Sequence, residues 1–246
     1  MSINLSASTI KTLGDCTLKI WYNKVCRIPD LAHWKTRTGS CVHDILEPLA
    51  LKNRKNLIKQ AQSLSFKAIP ALNRLIERKI RQYDLTQHNV YEEVEEMVKR
   101  ALNYEFNPKD CIDKGPEFPF NIKIGDFTIK GFLDRLFIFK NHAIIRDFKS
   151  QKTPFSKEEL SNNLQASLYQ YAIRKLFNKK SYVEFIMLRQ KPTSKNFIQE
   201  VPPLGDSVLD GLEEYLLGMG KYLSKFDFKA AKSNPATYNG NGWQCN

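Results

Sequence analysis

The chain has no apolar run approaching the roughly 18 residues that a membrane-spanning helix needs. Its most apolar stretch, residues 182–188, is broken by Glu184. The opening MSINLSASTIKTLGDC carries neither the early positive charge nor the apolar segment of a secretory signal, so an intracellular, cytoplasmic protein is expected. Cysteine is sparse: five residues at 16, 26, 41, 111 and 245, with no CxxC pair. That spacing excludes a zinc ribbon and gives no disulfide framework. Gly220-Lys221 is followed by Tyr222 and lacks the upstream glycine of a phosphate-binding loop, so no ATP motor is expected. Internal repeats and low-complexity tracts are also missing. Acidic residues are in deficit, 26 against 38 Lys and Arg, which leaves a net charge of +12.

What is present is an ordinary globular composition over 246 residues, 42% hydrophobic and 26% charged, enough to bury a substantial core. The positive excess favours a polyanionic partner, nucleic acid or an acidic membrane surface. It is also clustered. Residues 52–81 hold nine Lys and Arg against the single acid Glu77, a net of +8. Arg74, Arg78 and Arg81 recur at helical spacing on one face, and Leu72, Ile76, Ile80 and Tyr83 on another. A solvated face of a basic protein would look the same residue by residue. The clustering, without the bulky apolar face of a membrane-surface helix, favours nucleic acid and makes the three arginines candidates to bind it.

The first third reads as helical. Ser8 is the expected cap of a helix carrying Ile10, Leu13 and Leu18. A second helix is expected from Gly39 to Ala50, another from Leu72 to Tyr83 after Pro70, and another over 90–102 with Val90, Val94, Met97, Val98 and Ala101 buried. After Pro108 the character changes. Residues 120–126, 127–139 and 143–149 are rich in Phe, Ile and Thr and are separated by turn signals, which predicts three antiparallel strands in a meander. Ser156 with Glu159 makes a capping box, and Leu160, Leu164, Leu168, Ala172 and Leu176 extend one helix to Phe177. A buried strand over 182–189, a short edge strand over 196–201, a helix over 208–226 and an irregular 234–246 tail complete the expectation.

Asp147-Phe148-Lys149 ends the third meander strand. Alternation puts Asp147 and Lys149 on one side and Phe148 in the core. If the preceding turn centres near Asn141, Asp134 lies across from Asp147 or from Phe148, and either register brings two carboxylates together. Neighbouring carboxylates repel unless a cation lies between them, so a divalent-metal site beside a phosphate-binding lysine is indicated. His43, on one stripe with Leu46 and Ala50, is open to a structural or a ligating role. Gln165 and Tyr169, at i and i+4, form a polar ridge on the helix after the Asp-x-Lys strand.

In order, Gly39-x3-His43-x2-Leu46-Glu47, Gly131-Phe132-Leu133-Asp134-Arg135, Asp147-Phe148-Lys149-Ser150 and Gln165-x3-Tyr169 resemble the RecB-like branch of the PD-(D/E)XK nuclease superfamily. The opening, Leu5-Ser6-Ala7-Ser8 and Cys16 ahead of Trp21-Tyr22, is similar to that branch as well. The resemblance spans residues 5–190. It implies an α/β restriction-endonuclease-like core, a mixed sheet flanked by helices, with a helical N-terminal subdomain. One nuclease domain over 1–246 is expected: 1–107 mainly helical, 108–205 the αβ core, 206–246 a helix and irregular tail. It further implies Mg²⁺ or Mn²⁺ held by His43, Asp134, Asp147 and the Phe148 carbonyl, and a catalytic set of Asp134, Asp147, Lys149, Gln165 and Tyr169. One imidazole among carboxylates suits Mn²⁺ at least as well as Mg²⁺. Several members of the branch carry a four-cysteine [4Fe–4S] cluster. Here Cys16 matches its first position but only Cys245 follows the core, so no iron–sulfur cluster is expected. The expected activity is a metal-dependent DNA exonuclease acting on linear or single-stranded ends, of the kind found in phages and mobile elements. A structure-specific endonuclease, a catalytically silent DNA-binding module and an RNA-directed enzyme are the alternatives.

Overall fold

The computed structural model describes residues 4–15, 22, 27–28, 32–51, 54–104 and 106–225. Cys16, Leu18, Trp21, Cys26, Lys52 and the 234–246 tail, with Cys245, lie outside the described residues. A two-residue strand, β1 (Asn4–Leu5), precedes helix α1 (Ala7–Asp15). Then come α2 (Trp34–Leu49), α3 (Lys55–Ser63), α4 (Pro70–Gln82) and α5 (Tyr91–Asn103). The meander follows as β2 (Ile112–Ile124), β3 (Phe127–Ile138) and β4 (His142–Lys149). Helices α6 (Lys157–Ser161) and α7 (Leu164–Phe177), strands β5 (Lys180–Met187) and β6 (Ile198–Val201), and α8 (Asp206–Lys225) complete the described chain.

The six strands form one sheet in the order β1-β3-β4-β5-β6, with β2 also paired to β3. β1 with β3 and β4 with β5 are parallel, and the other ladders are antiparallel, so the sheet is mixed. Each face buries its own apolar cluster. One holds Ile10 of α1, Phe120, Ile129, Leu136 and Ile145 of the meander, Leu168 and Ala172 of α7, and Leu216 of α8. The other packs α2 to α5, through Val42, Ile45, Leu72, Ile76, Val94 and Val98, onto Phe148, Ile186, Leu188 and Phe197. The result is a sheet between two helical layers, the α/β class with a helical N-terminal part that the sequence predicted. No helix among the described residues is long and apolar enough to cross a membrane.

Several boundaries differ from expectation, each for a local reason. Ser6, not Ser8, caps α1, its Oγ accepting from the Thr9 N–H at 3.2 Å. Helix α2 begins at Trp34, five residues before Gly39, with the His33 ring accepting from the Lys35 N–H. Gly39 is therefore interior. A Cβ there would lie 2.3 Å from the Ser150 Oγ, so glycine allows α2 to approach the end of β4. The capping box at Ser156 and Glu159 is present, but α6 stops at Ser161. Asn163 accepts from the Ala166 N–H and starts α7 as a separate helix. Leucines at every fourth position drift by roughly 40° per step on a 3.6-residue helix, and Leu176, the last of them, is 43% exposed. Strand β2 starts at Ile112, eight residues earlier than expected: Pro119 pairs with Phe132 and Pro116 with Arg135 in the register set by the turn, and a shift between Asp113 and Pro116 then carries the ladder on to Ile112.

Candidate active site

The β3–β4 ladder runs from Ile138↔Ala143 to Arg135↔Arg146. That register decides the open alternative: continuing it sets Asp134 across from Asp147, just where the two strands stop pairing through their backbones. The Phe148 N–H donates instead to Asp134 Oδ2, at 2.7 Å. On the other side of β3, Pro116 pairs with Arg135 and Phe118 with Leu133, which sets Glu117 beside Asp134. Three carboxylates, one from each meander strand, thus form a row across the sheet. From above, α2 adds His43, whose Nδ1 lies 3.3 Å from Asp134 Oδ2 and whose Nε2 lies 2.7 Å from the Phe148 carbonyl oxygen. His43 is therefore drawn into the site rather than serving only the core.

Alternation holds at the strand end. The Lys149 Nζ sits 2.7 Å from Asp147 Oδ2, an ion pair whose geometry is not that of an aligned hydrogen bond, while Phe148 is buried in the cluster under α2 to α5. Helix α7 completes the site from the opposite face. Gln165 Nε2 donates to Asp147 Oδ1 at 3.0 Å, Tyr169 Oη donates to the same oxygen at 3.1 Å, and Lys149 Nζ donates to Gln165 Oε1 at 2.8 Å. The predicted polar ridge is thus turned inward, with Tyr169 buried. Gln165 thus contacts both Asp147 and Lys149, and Tyr169 contacts Asp147. The row lies in a cleft of about 950 Å³ that Lys152 and Arg189 also line.

The electrostatics fit a missing positive charge. Burial, reinforced by Asp134, pushes Glu117 up to about 6. Burial also pushes the Asp147 carboxyl above its usual range, offset in part by Lys149 and reinforced by Asp134. Burial works against the His43 imidazolium, but Asp134, Asp147 and the Phe148 carbonyl outweigh it and push the ring up to about 9. A protonated His43 then supplies the compensating cation, its two N–H groups directed at Asp134 and at Phe148. Ligand atoms of His43, Glu117 and Asp134 all lie within 4.8 Å of one another. Donors of one divalent ion lie about 4–5 Å apart at most, so this set fits such an ion, with mixed nitrogen and oxygen chemistry.

The sequence profile of the PD-(D/E)XK nuclease superfamily matches residues 4–238. The chain belongs to the PD-(D/E)XK nuclease superfamily. It is accordingly a nuclease fold of the class that uses divalent metal ions and acts on DNA. Among solved structures, a candidate exonuclease from Eubacterium rectale is similar at 14% identity and a TM-score of 0.57, over 89% of this chain and 80% of that one. SSO0001 is similar at 15% identity and a TM-score of 0.29, over 74% and 86%, too remote to add to the argument. No curated protein matches the chain significantly.

Of the residues singled out from the sequence, His43, Asp134, Asp147, Phe148, Lys149, Gln165 and Tyr169 converge on the cleft. Arg74, Arg78 and Arg81 do not. They project from the exposed face of α4, whose other face buries Leu72, Ile76 and Ile80. Two further cations of the basic segment are matched by acids, Lys79 by Asp44 at 2.7 Å and Lys67 by Glu92 at 2.9 Å. Sequence reasoning missed Glu117. The one available signal was Gly115-Pro116-Glu117-Phe118-Pro119, an acid between two prolines just upstream of the predicted strand.

Proposed function

We propose that this nuclease is a Mg²⁺- or Mn²⁺-dependent DNA exonuclease that hydrolyses phosphodiester bonds from linear or single-stranded ends during DNA processing, recombination or repair. The observation that carries the reading is the carboxylate row Glu117, Asp134 and Asp147, with His43 above it and Lys149 beside it, in one cleft. His43, Asp134, Asp147 and the Phe148 carbonyl would hold the ion, with Glu117 as an additional donor. When bound, the divalent ion supplies Lewis acidity toward the scissile phosphate and its attacking water. Lys149 places a further positive charge where negative charge develops in the transition state. Gln165 holds that lysine and, with Tyr169, fixes the Asp147 carboxylate. Asp134 is fixed by the Phe148 N–H. These side chains are therefore preorganised rather than recruited during reaction.

The preference for ends is supported by the name of the Eubacterium rectale neighbour and by the resemblance to the RecB-like branch, which also suggests a phage or mobile-element setting. The exposed arginines of α4 would contribute nonspecific phosphate attraction outside the cleft. The test is the purified protein with end-labelled linear and covalently closed circular DNA in Mg²⁺ and in Mn²⁺. Loss of label from the linear DNA with the circle intact is expected. Nicking of the circle at a comparable rate would replace the exonuclease reading with an endonuclease. Binding without cleavage in either metal would leave a silent DNA-binding module, and cleavage of RNA in place of DNA would reassign the substrate.

A further inference from the structure

Phe132 lies two residues before Asp134 on β3, and both line the active cleft. The residue is 60% exposed, whereas the adjacent Leu133 is fully buried. The backbone around it is also open on one edge. The β1 ladder ends at Ile129 and the β4 ladder begins at Arg135, so among the described residues the 130–134 segment of β3 pairs only with β2. A second cavity of about 920 Å³ opens through this gap, walled by the start of α1 and by the α6–α7 junction at Asn162 and Asn163. Phe132, Lys149, Gln151, Gln165 and Tyr169 line both this cavity and the active cleft. The phenyl ring therefore stands at the junction of two nucleotide-sized spaces, beside the lysine assigned to the phosphate.

A strand whose scissile phosphate sits at Lys149 has one neighbouring nucleotide on each side, and the junction places the Phe132 ring against one of them. An exposed aromatic face is a sequence-tolerant partner for a base, because every base has a π-face. A base inside a duplex already has both faces covered by its neighbours, and a single strand passing between the two cavities presents an unpaired base to the ring. We propose that Phe132 is a stacking platform for the unpaired base flanking the scissile phosphate, with the strand running from the active cleft into the second cavity. This rests on the nuclease reading above and adds to it a requirement for single-stranded substrate at the cut.

The test uses cleavage-resistant phosphorothioate oligonucleotides in Mg²⁺, each with one abasic residue at a successive position. Wild type should lose affinity about 5- to 150-fold at one position near the bound end, the range for loss of one base–aromatic stack. Phe132→Ala should bind the intact strand more weakly by that factor and show no further loss at that position. Phe132→Trp should keep the affinity and have its indole fluorescence quenched by the intact strand but not by the abasic one. Phe132→Ala binding like wild type, or retaining the abasic penalty, would overturn the proposal. Cleavage of ordinary linear DNA by wild type separates the two readings. A protein that cleaves but has an abasic profile indifferent to Phe132 loses only the stacking platform, and one that neither binds nor cleaves nucleic acid loses both.

Discussion

Replacing Glu117 with Gln removes one negative charge from the carboxylate row and keeps the side chain's length. The backbone there has φ +47, a left-handed conformation that is strained for glutamate and glutamine alike, so the substitution isolates the charge. In metal-free protein the row is a liability. The rise of Glu117 from 4.5 to about 6 corresponds to about 2 kcal/mol between the protonated and charged forms. Because the group is only half buried, solvent screening reduces this to about 1 kcal/mol. The folded state holds this proton more tightly than the unfolded chain, so its stabilising effect is complete below pH 4.5 and is lost as the pH rises through about 6. Glu117→Gln should therefore raise the unfolding free energy in chelator by about 1 kcal/mol at pH 8 and leave it unchanged near pH 4.5. With metal the sign reverses. Losing a carboxylate donor should weaken Mn²⁺ affinity by at least roughly 10- to 100-fold. Urea unfolding at the two pH values and Mn²⁺ titration calorimetry measure the two effects. A variant with unaltered Mn²⁺ affinity and no gain at pH 8 would remove Glu117 from the site.

Asp134→Ala and Asp147→Ala should abolish cleavage with the fold intact, whereas Lys149→Ala should lose cleavage but keep metal and DNA binding. Retention of more than about a tenth of the wild-type rate in either aspartate variant, less than ~1.4 kcal/mol of barrier, would refute the ligand assignment. Equal losses of rate and DNA affinity in Lys149→Ala would make it an ordinary phosphate contact. Simultaneous charge reversal of Arg74, Arg78 and Arg81 should lower DNA affinity and flatten its salt dependence, while single-turnover cleavage at saturating DNA stays near wild type. An unchanged salt slope would return these exposed arginines to a solvated surface.

How far the sequence reached follows from which structural variable each residue depends on. Asp147, Lys149 and Phe148 were legible because a strand alternates with period two. Asp134 was legible because a tight hairpin lets the register be counted from its turn, to within one residue. The β3–β4 ladder removes that last residue of ambiguity. Gln165 and Tyr169 were legible as an i, i+4 pair, although their burial against Asp147 was not, since that depends on how α7 lies on the sheet. Helix α2 was read five residues short because an interior glycine imitates a start signal. The α6–α7 break was hidden by leucines whose spacing continues through Asn162 and Asn163.

Glu117 shows how a strand can be hidden from such counting. Its place beside Asp134 lies on the register that runs unbroken from Ile124↔Phe127 to Pro116↔Arg135, and the shift between Asp113 and Pro116 comes only beyond it. Counting from the Gly125-Asp126 turn reaches that pairing only if the strand continues through Pro119 and Pro116, and two prolines argue against a paired strand there, as does the left-handed backbone at Gly115 and Glu117. The same feature explains why the position is occupied by an acid. A strained glutamate crowded against a second carboxylate lowers the stability of the metal-free fold, so neither local propensity nor packing accounts for it. A cation bound between the carboxylates would turn that repulsion into coordination, because the charges that oppose each other across the row all face the ion. The strain at Glu117, the raised affinity of His43 for its proton and the burial of Asp147 therefore share one cause: a fold arranged around a positive charge that its own side chains only partly supply.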